Sequence, residues 1–127
     1  MRDSRLLIVD DEEHISSALR DYFTILGYVV DVADSKSAAH AMLDRIGYAA
    51  VITDLRLSDA GCMEGLEVIR HARVRRPQGA RIVLTAFGDP DCRAEAERSG
   101  ADAFLQKPSP LHELEKVLAG LRNAGAR

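Results

Sequence analysis

No apolar run in this sequence approaches the ~20 residues that cross a bilayer. The opening residues, Met1-Arg2-Asp3-Ser4-Arg5, carry no apolar targeting core. Basic charge is not in excess either: the formal net charge is −3 and the pI near 5.8, which argues against direct nucleic-acid binding. There are 2 cysteines, Cys62 and Cys92, too far apart in the chain for a metal-ligand spacing. The expectation is a cytoplasmic chain with no membrane contact and reduced bystander thiols. Solenoid repeats and low-complexity stretches are missing as well. What remains is 127 residues, 46% hydrophobic and 29% charged, the make-up of one globular domain.

The apolar content comes in short runs. Leu6 to Val9, Tyr28 to Ala33, Ala49 to Asp54, Ala80 to Ala86 and Ala103 to Gln106 read as buried strands. Between them, apolar residues recur at three- and four-residue steps, as on one face of a helix. The first helix spans Glu12 to Leu26 with Gly27 as its C-cap; the second opens at Asp34-Ser35 and closes at Gly47. The third begins at Leu66, after a loop over residues 55–65, and Pro77 stops it. A short fourth helix, from about Asp91 to Ser99, has few apolar residues, which predicts a loosely held element. Leu111, Leu114, Val117, Leu118 and Leu121 mark the last. His14, His40, His71 and His112 read as surface histidines with no shared site, and Arg70 to Arg76 as a solvated helix face.

Strands alternating with helices imply a parallel sheet with right-handed crossovers and helices on both faces. All strand carboxyl ends then share one edge, where such sheets place their ligands. Four of those ends carry polar groups: Asp10-Asp11 with Glu12-Glu13 behind them, Asp54, Thr85 and Lys107. Four acids in a row exceed what helix capping needs, and like charges so crowded call for a neutralising cation. Carboxylates at this edge suit Mg²⁺, an Asp can be a phosphoryl nucleophile, and a lysine with a hydroxyl can hold phosphoryl oxygens.

In that order, Asp10-Asp11, Asp54, Thr85-Ala86 and Lys107-Pro108 make the chain resemble the receiver domain of two-component response regulators over about residues 5 to 122. The resemblance implies a flavodoxin-like (βα)5 fold, strand order 2-1-3-4-5, as a single domain over 1–127, with 123–127 a tail or linker start. It implies that Asp54 accepts a phosphoryl group from a histidine kinase phosphohistidine. Asp11, Asp54 and the main-chain carbonyl of Arg56 would bind Mg²⁺, with Asp10 beside them. Thr85 and Lys107 would contact the phosphoryl group, and Phe104 would be the aromatic that turns inward when Thr85 moves. The Lys107-Pro108 peptide would be cis. Implied partners are a sensor histidine kinase or phosphotransfer protein, a downstream effector, and a second copy docking through the last helices and fifth strand. Such a protein is not an enzyme beyond promoting its own phosphorylation and dephosphorylation.

Some positions depart from the family pattern. Ser58 replaces the usual proline, Ala60-Gly61-Cys62 resembles a small insertion that delays the expected glycine to Gly65, and Ser109-Pro110 follows the Lys-Pro pair. Arg56 and Phe87, two residues after Asp54 and Thr85, are large and are expected to obstruct water attack on an aspartyl-phosphate. A haloacid-dehalogenase-type Mg²⁺ phosphohydrolase also uses an Asp nucleophile, but Arg56 stands where its second acid belongs. A receiver-like interaction module that is never phosphorylated is the other alternative.

Overall fold

A computed structural model describes residues 4–58, 61–86 and 88–125. The elements run β1 (Arg5–Val9), α1 (Glu13–Ile25), β2 (Val29–Ala33), α2 (Lys36–Arg45), β3 (Ala50–Thr53), α3 (Met63–Arg75), β4 (Ala80–Thr85), α4 (Pro90–Ser99), β5 (Ala103–Gln106) and α5 (Leu111–Gly125). All strand pairings are parallel, as the alternation of strands and helices predicts, in the order β2-β1-β3-β4-β5 that the resemblance implies. Among the described residues, no helix is long and apolar enough to cross a membrane.

The period of two along each strand divides the core. Leu6 and Ile8 of β1, Ile52 of β3 and Ile82 of β4 face α1 and α5, meeting Leu19, Phe23, Leu114 and Leu118. Leu7, Val9 and Val51 point the other way, onto Ala39 and Leu43 of α2 and Val68 and Ala72 of α3. A third cluster joins Leu55, Leu66, Ile69, Val83 and Ala96, and closes α3 and α4 over the β3–β4 side. Because both faces of β3 and β4 are covered, every one of their residues is buried. That is why these strands are continuous apolar runs rather than alternating ones.

Local signals behave as their chemistry requires, with exceptions that have causes. The Ser35 hydroxyl accepts from the Ala38 N–H and caps α2, and Gly27 and Gly100 take the left-handed conformation after α1 and α4. The fourth helix is held at two buried positions, the fully covered Ala96 and Ser99, of which Ala96 alone is apolar. The third helix starts at Met63, three residues before the expected start at Leu66. Met63, Glu64 and Gly65 form its first turn rather than loop, because Gly65 presses onto the backbone of Asp54 and Leu55 and its N–H donates to the Leu55 carbonyl. The α5 helix reaches Gly125, past the expected tail start at residue 123. His40 and His71 are not scattered: their rings stack 4.2 Å apart across α2 and α3, and His71 contacts Asp44. The periodicity of each helix hides this pairing, since it is made by the packing between them.

Gly65 tests how tightly α3 is pressed against the strand end. A Cβ there collides with Leu55 backbone atoms, whereas Gly120 in α5 has nothing within 4 Å. Gly65→Ala is expected to lower unfolding free energy by about 1–3 kcal/mol, as overpacking does. Gly120→Ala is expected to raise it by about 0.5–1 kcal/mol through helix propensity. Urea titrations of the two variants read both values.

Candidate functional site

The ends of β1 and β3 continue their ladder for one residue beyond the strands. The Asp10 N–H donates to the Ala33 carbonyl at 3.0 Å, and the Asp54 N–H to the Val9 carbonyl at 2.9 Å. These bonds fix both aspartates side by side while the chain is still in register, with exposures of only 3% and 6%. At the far end, the Lys107 N–H donates to the Thr85 carbonyl at 2.8 Å, so the lysine leaves β5 toward the same edge. The Lys107–Pro108 peptide is cis, as the resemblance implies.

The Lys107 ammonium donates to Asp10 Oδ2 at 2.7 Å, Asp54 Oδ2 at 3.0 Å and Glu12 Oε1 at 3.2 Å. The second oxygen of each aspartate is also held. Asp10 Oδ1 accepts from the Glu12 N–H at 2.9 Å, and Asp54 Oδ1 from the Arg56 N–H at 3.3 Å. Burial by itself would lower the affinity of Lys107 for its proton; the hydrogen bonds and charges of Asp10 and Asp54 outweigh it and hold the group well above the usual lysine range. Asp10 is shifted up, chiefly because burial disfavours its charge and also because Asp54 is a like charge nearby. The Lys107 bond and the Glu12 N–H oppose that shift.

Glu12 is the residue that the sequence did not single out. Oxygens of Asp10, Glu12 and Asp54 all lie within 4.8 Å of one another, a set of hard donors suited to Mg²⁺ or Ca²⁺. Asp11, expected as a ligand, is exposed and outside this trio. Glu12 stands at the N-cap of α1 without capping it, so its carboxylate is available to the strand edge. The signal for it was in the four-acid run, but only the turn geometry after β1 tells which of the four face inward. The donor set fits a divalent cation: three carboxylates face one ammonium, leaving negative charge in excess.

Thr85 closes β4 and is fully buried. Phe104 lies on β5, partly exposed, packed against the Leu55–Val83–Ala96 cluster with the Arg93 guanidinium 5.2 Å over its ring. Ser58 bonds Glu64 of α3. Part of the apparent insertion, Ala60, and the large residue Phe87 lie outside the described residues.

The expectation of free thiols is corrected. Cys62 and Cys92 form a disulfide, with Cα atoms 6.2 Å apart. A separation of 30 residues in sequence conceals that α3 and α4 follow neighbouring strands and pack on the same face. Their first turns therefore start side by side, with Cys62 at the N-cap of α3 and Cys92 in the first turn of α4.

Known proteins match this arrangement. The family described as the response regulator receiver domain covers residues 6–119. The photosynthetic apparatus regulatory protein RegA of Rhodobacter capsulatus is 32% identical over 116 residues, covering 91% of this chain and 61% of RegA. A CheY-like receiver domain protein from Methanospirillum hungatei superposes with a TM-score of 0.91 at 23% identity, over 98% of both chains. A response regulator from Burkholderia pseudomallei, solved with a phosphorylated aspartic acid, calcium and citrate, superposes with a TM-score of 0.85. It is 25% identical, over 98% of this chain and 72% of that one. The chain spans 44% to 62% of the length of curated relatives it matches. Shared fold, acidic strand edge and family match over most of its length agree that this chain belongs to the response regulator receiver domains of two-component signalling.

Proposed function

We propose that Asp54 is the phosphoacceptor of this receiver domain and that it takes its phosphoryl group from a histidine kinase or phosphotransfer protein. The observation that carries the reading is one buried carboxylate, Asp54, placed at a central strand end with an ammonium 3.0 Å from one oxygen and two further carboxylates around it. A carboxylate oxygen of Asp54 attacks phosphorus, the phosphorus–nitrogen bond of the phosphohistidine breaks, and the leaving imidazole nitrogen takes a proton from solvent. Lys107 is charged throughout, and its ammonium can pass from the carboxylate to a phosphoryl oxygen without a proton transfer. Thr85, at the end of the neighbouring strand, would supply a hydroxyl to the same group, and Phe104 would be the aromatic that its movement draws in.

Asp10, Glu12 and Asp54 would hold a divalent cation, for which we propose Mg²⁺, with Asp11 and the Arg56 carbonyl as further donors. The cation supplies charge neutralisation on the transferred phosphoryl group. The chain promotes its own phosphorylation and dephosphorylation and turns over no other substrate. Domain limits of 1–127, a cytoplasmic location, an effector downstream and pairing through α4, β5 and α5 belong to the same proposal.

Incubation with a small phosphodonor and Mg²⁺, followed by intact mass, is expected to show one base-labile phosphoryl group per chain. None should form on Asp54→Ala, and none on the parent in chelator. Catalytic release of phosphate without an adduct would contradict the reading. Arg56→Ala is expected to shorten the lifetime of that adduct severalfold; an unchanged lifetime removes Arg56 as a barrier to water.

Asp10→Asn is expected to stabilise the cation-free chain at pH 7 by about 1 kcal/mol, the scale of a single substitution, because it removes a desolvated charge from an over-negative cluster. The sign of the pH dependence follows from the upward shift of Asp10. Folded Asp10 holds a proton more tightly than unfolded Asp10, so its cost is present at neutral pH and fades toward the carboxylate range, and the gain in Asp10→Asn fades with it. Thermal melts with and without Mg²⁺ check both effects: Mg²⁺ should raise the melting temperature of the parent and do so less in the variant.

A further inference from the structure

Phosphoryl transfer makes no use of the Cys62–Cys92 pair, yet its position ties together the elements around the acidic edge. Cys62 immediately precedes α3, and three residues later Gly65 is wedged against the backbone of Asp54 and Leu55. Cys92 lies in the first turn of α4, and its neighbour Arg93 sits over the Phe104 ring. Both cysteines are half-buried and pack, together with Phe104, on the cluster of Leu55, Leu66, Ile69, Val83 and Ala96. Among the described residues, Arg70 of α3 bonds Ser99 and pairs with Glu95, both in the second half of α4. The covalent tie is therefore at the end of α4 nearest Asp54, on a helix whose buried contacts are few.

We propose that Cys62 and Cys92 are a reversible redox site: their disulfide clamps the first turn of α4 to α3, and its reduction frees that turn, so that thiol state sets how readily the Phe104 side responds to phosphorylation. The last clause rests on the phosphoacceptor reading of Asp54; the clamp itself does not. The chemistry is thiol–disulfide exchange with a low-molecular-weight disulfide. One cysteine thiolate attacks a sulfur of the donor, forming a mixed disulfide and releasing one donor thiolate. The second cysteine thiolate attacks the protein sulfur of that mixed disulfide, forming the Cys62–Cys92 bond and releasing the other. The two cysteines lose two electrons and two protons, and the donor disulfide gains them as two thiols. A dithiol reductant reverses the sequence. Neither residue is sealed in the core, both being half-buried, and the Cα separation of 6.2 Å lies within the range that a disulfide spans without backbone movement.

The test uses the whole chain, treated with oxidised glutathione or with dithiothreitol and then freed of reagent. Alkylation and intact mass are expected to count no free thiol after the first treatment and both after the second. Hydrogen–deuterium exchange across Pro90–Ser99 is expected to be about tenfold faster in the reduced chain, a difference in local opening. Addition of a small phosphodonor with Mg²⁺ should then change exchange around Phe104 more in the reduced chain than in the oxidised one. A chain with Cys62→Ser and Cys92→Ser should behave as reduced under both treatments. Free thiols that persist under glutathione disulfide overturn the proposal, as does equal α4 exchange in the two states or a response to oxidant in the double variant. Unequal α4 exchange with no phosphoryl adduct in either state supports the clamp and overturns the Asp54 reading instead.

Discussion

One ammonium holds the functional edge of this fold together. Lys107 leaves the edge strand β5 and meets carboxylates that come from β1 and β3, nearly a hundred and about fifty residues earlier in the chain, as the 97- and 53-residue separations record. Asp10, Asp54 and Lys107 are all at least nine-tenths covered. Buried charges of one sign are costly unless paired: removal of the cation that such carboxylates share typically costs about 3–5 kcal/mol, whereas loss of one carboxylate leaves Lys107 paired to the others. Without Lys107, the ends of the central strands would carry mutually repelling carboxylates in a poorly solvated place. With it the edge is paired but still short of positive charge, and that deficit suits it to a divalent cation.

The site does not end at the acids. Gly65 lets the first turn of α3 lie directly on Asp54 and Leu55, and Leu55 in turn belongs to the cluster that carries Ala96 of α4 and borders Phe104. A change of charge or size at Asp54 therefore has a short packed route to α4 and β5, with the Cys62–Cys92 link lying across it. Coupling of this kind needs an element with two arrangements. The α4 helix is the natural candidate, since few apolar contacts secure it.

Much of this was legible in the chain because burial on both faces writes strands as short apolar runs, and parallel topology sends their ends to one edge. Asp10, Asp54, Thr85 and Lys107 could be placed there from position alone. The alternation within β1, Leu6 and Ile8 against Leu7 and Val9, even separates the two faces of the core. What escaped depends on geometry that no spacing encodes. Which members of the Asp10–Glu13 run turn inward is decided by the chain path after β1, and that path brings in Glu12 and leaves Asp11 exposed. Met63 begins α3 because a glycine fits against backbone, a contact between two elements. The stacked His40 and His71 and the linked Cys62 and Cys92 likewise arise from helices packing side by side.

The central claim is that one carboxylate of this cluster, and not its neighbours, receives the phosphoryl group. Borohydride reduction of the freshly phosphorylated chain converts an aspartyl-phosphate to homoserine, and peptide sequencing by mass spectrometry then reads its position. The account predicts homoserine at residue 54 and nowhere else. Conversion at Asp10 or Asp11, reduction at Glu12, or a phosphoryl group found on a histidine would contradict it.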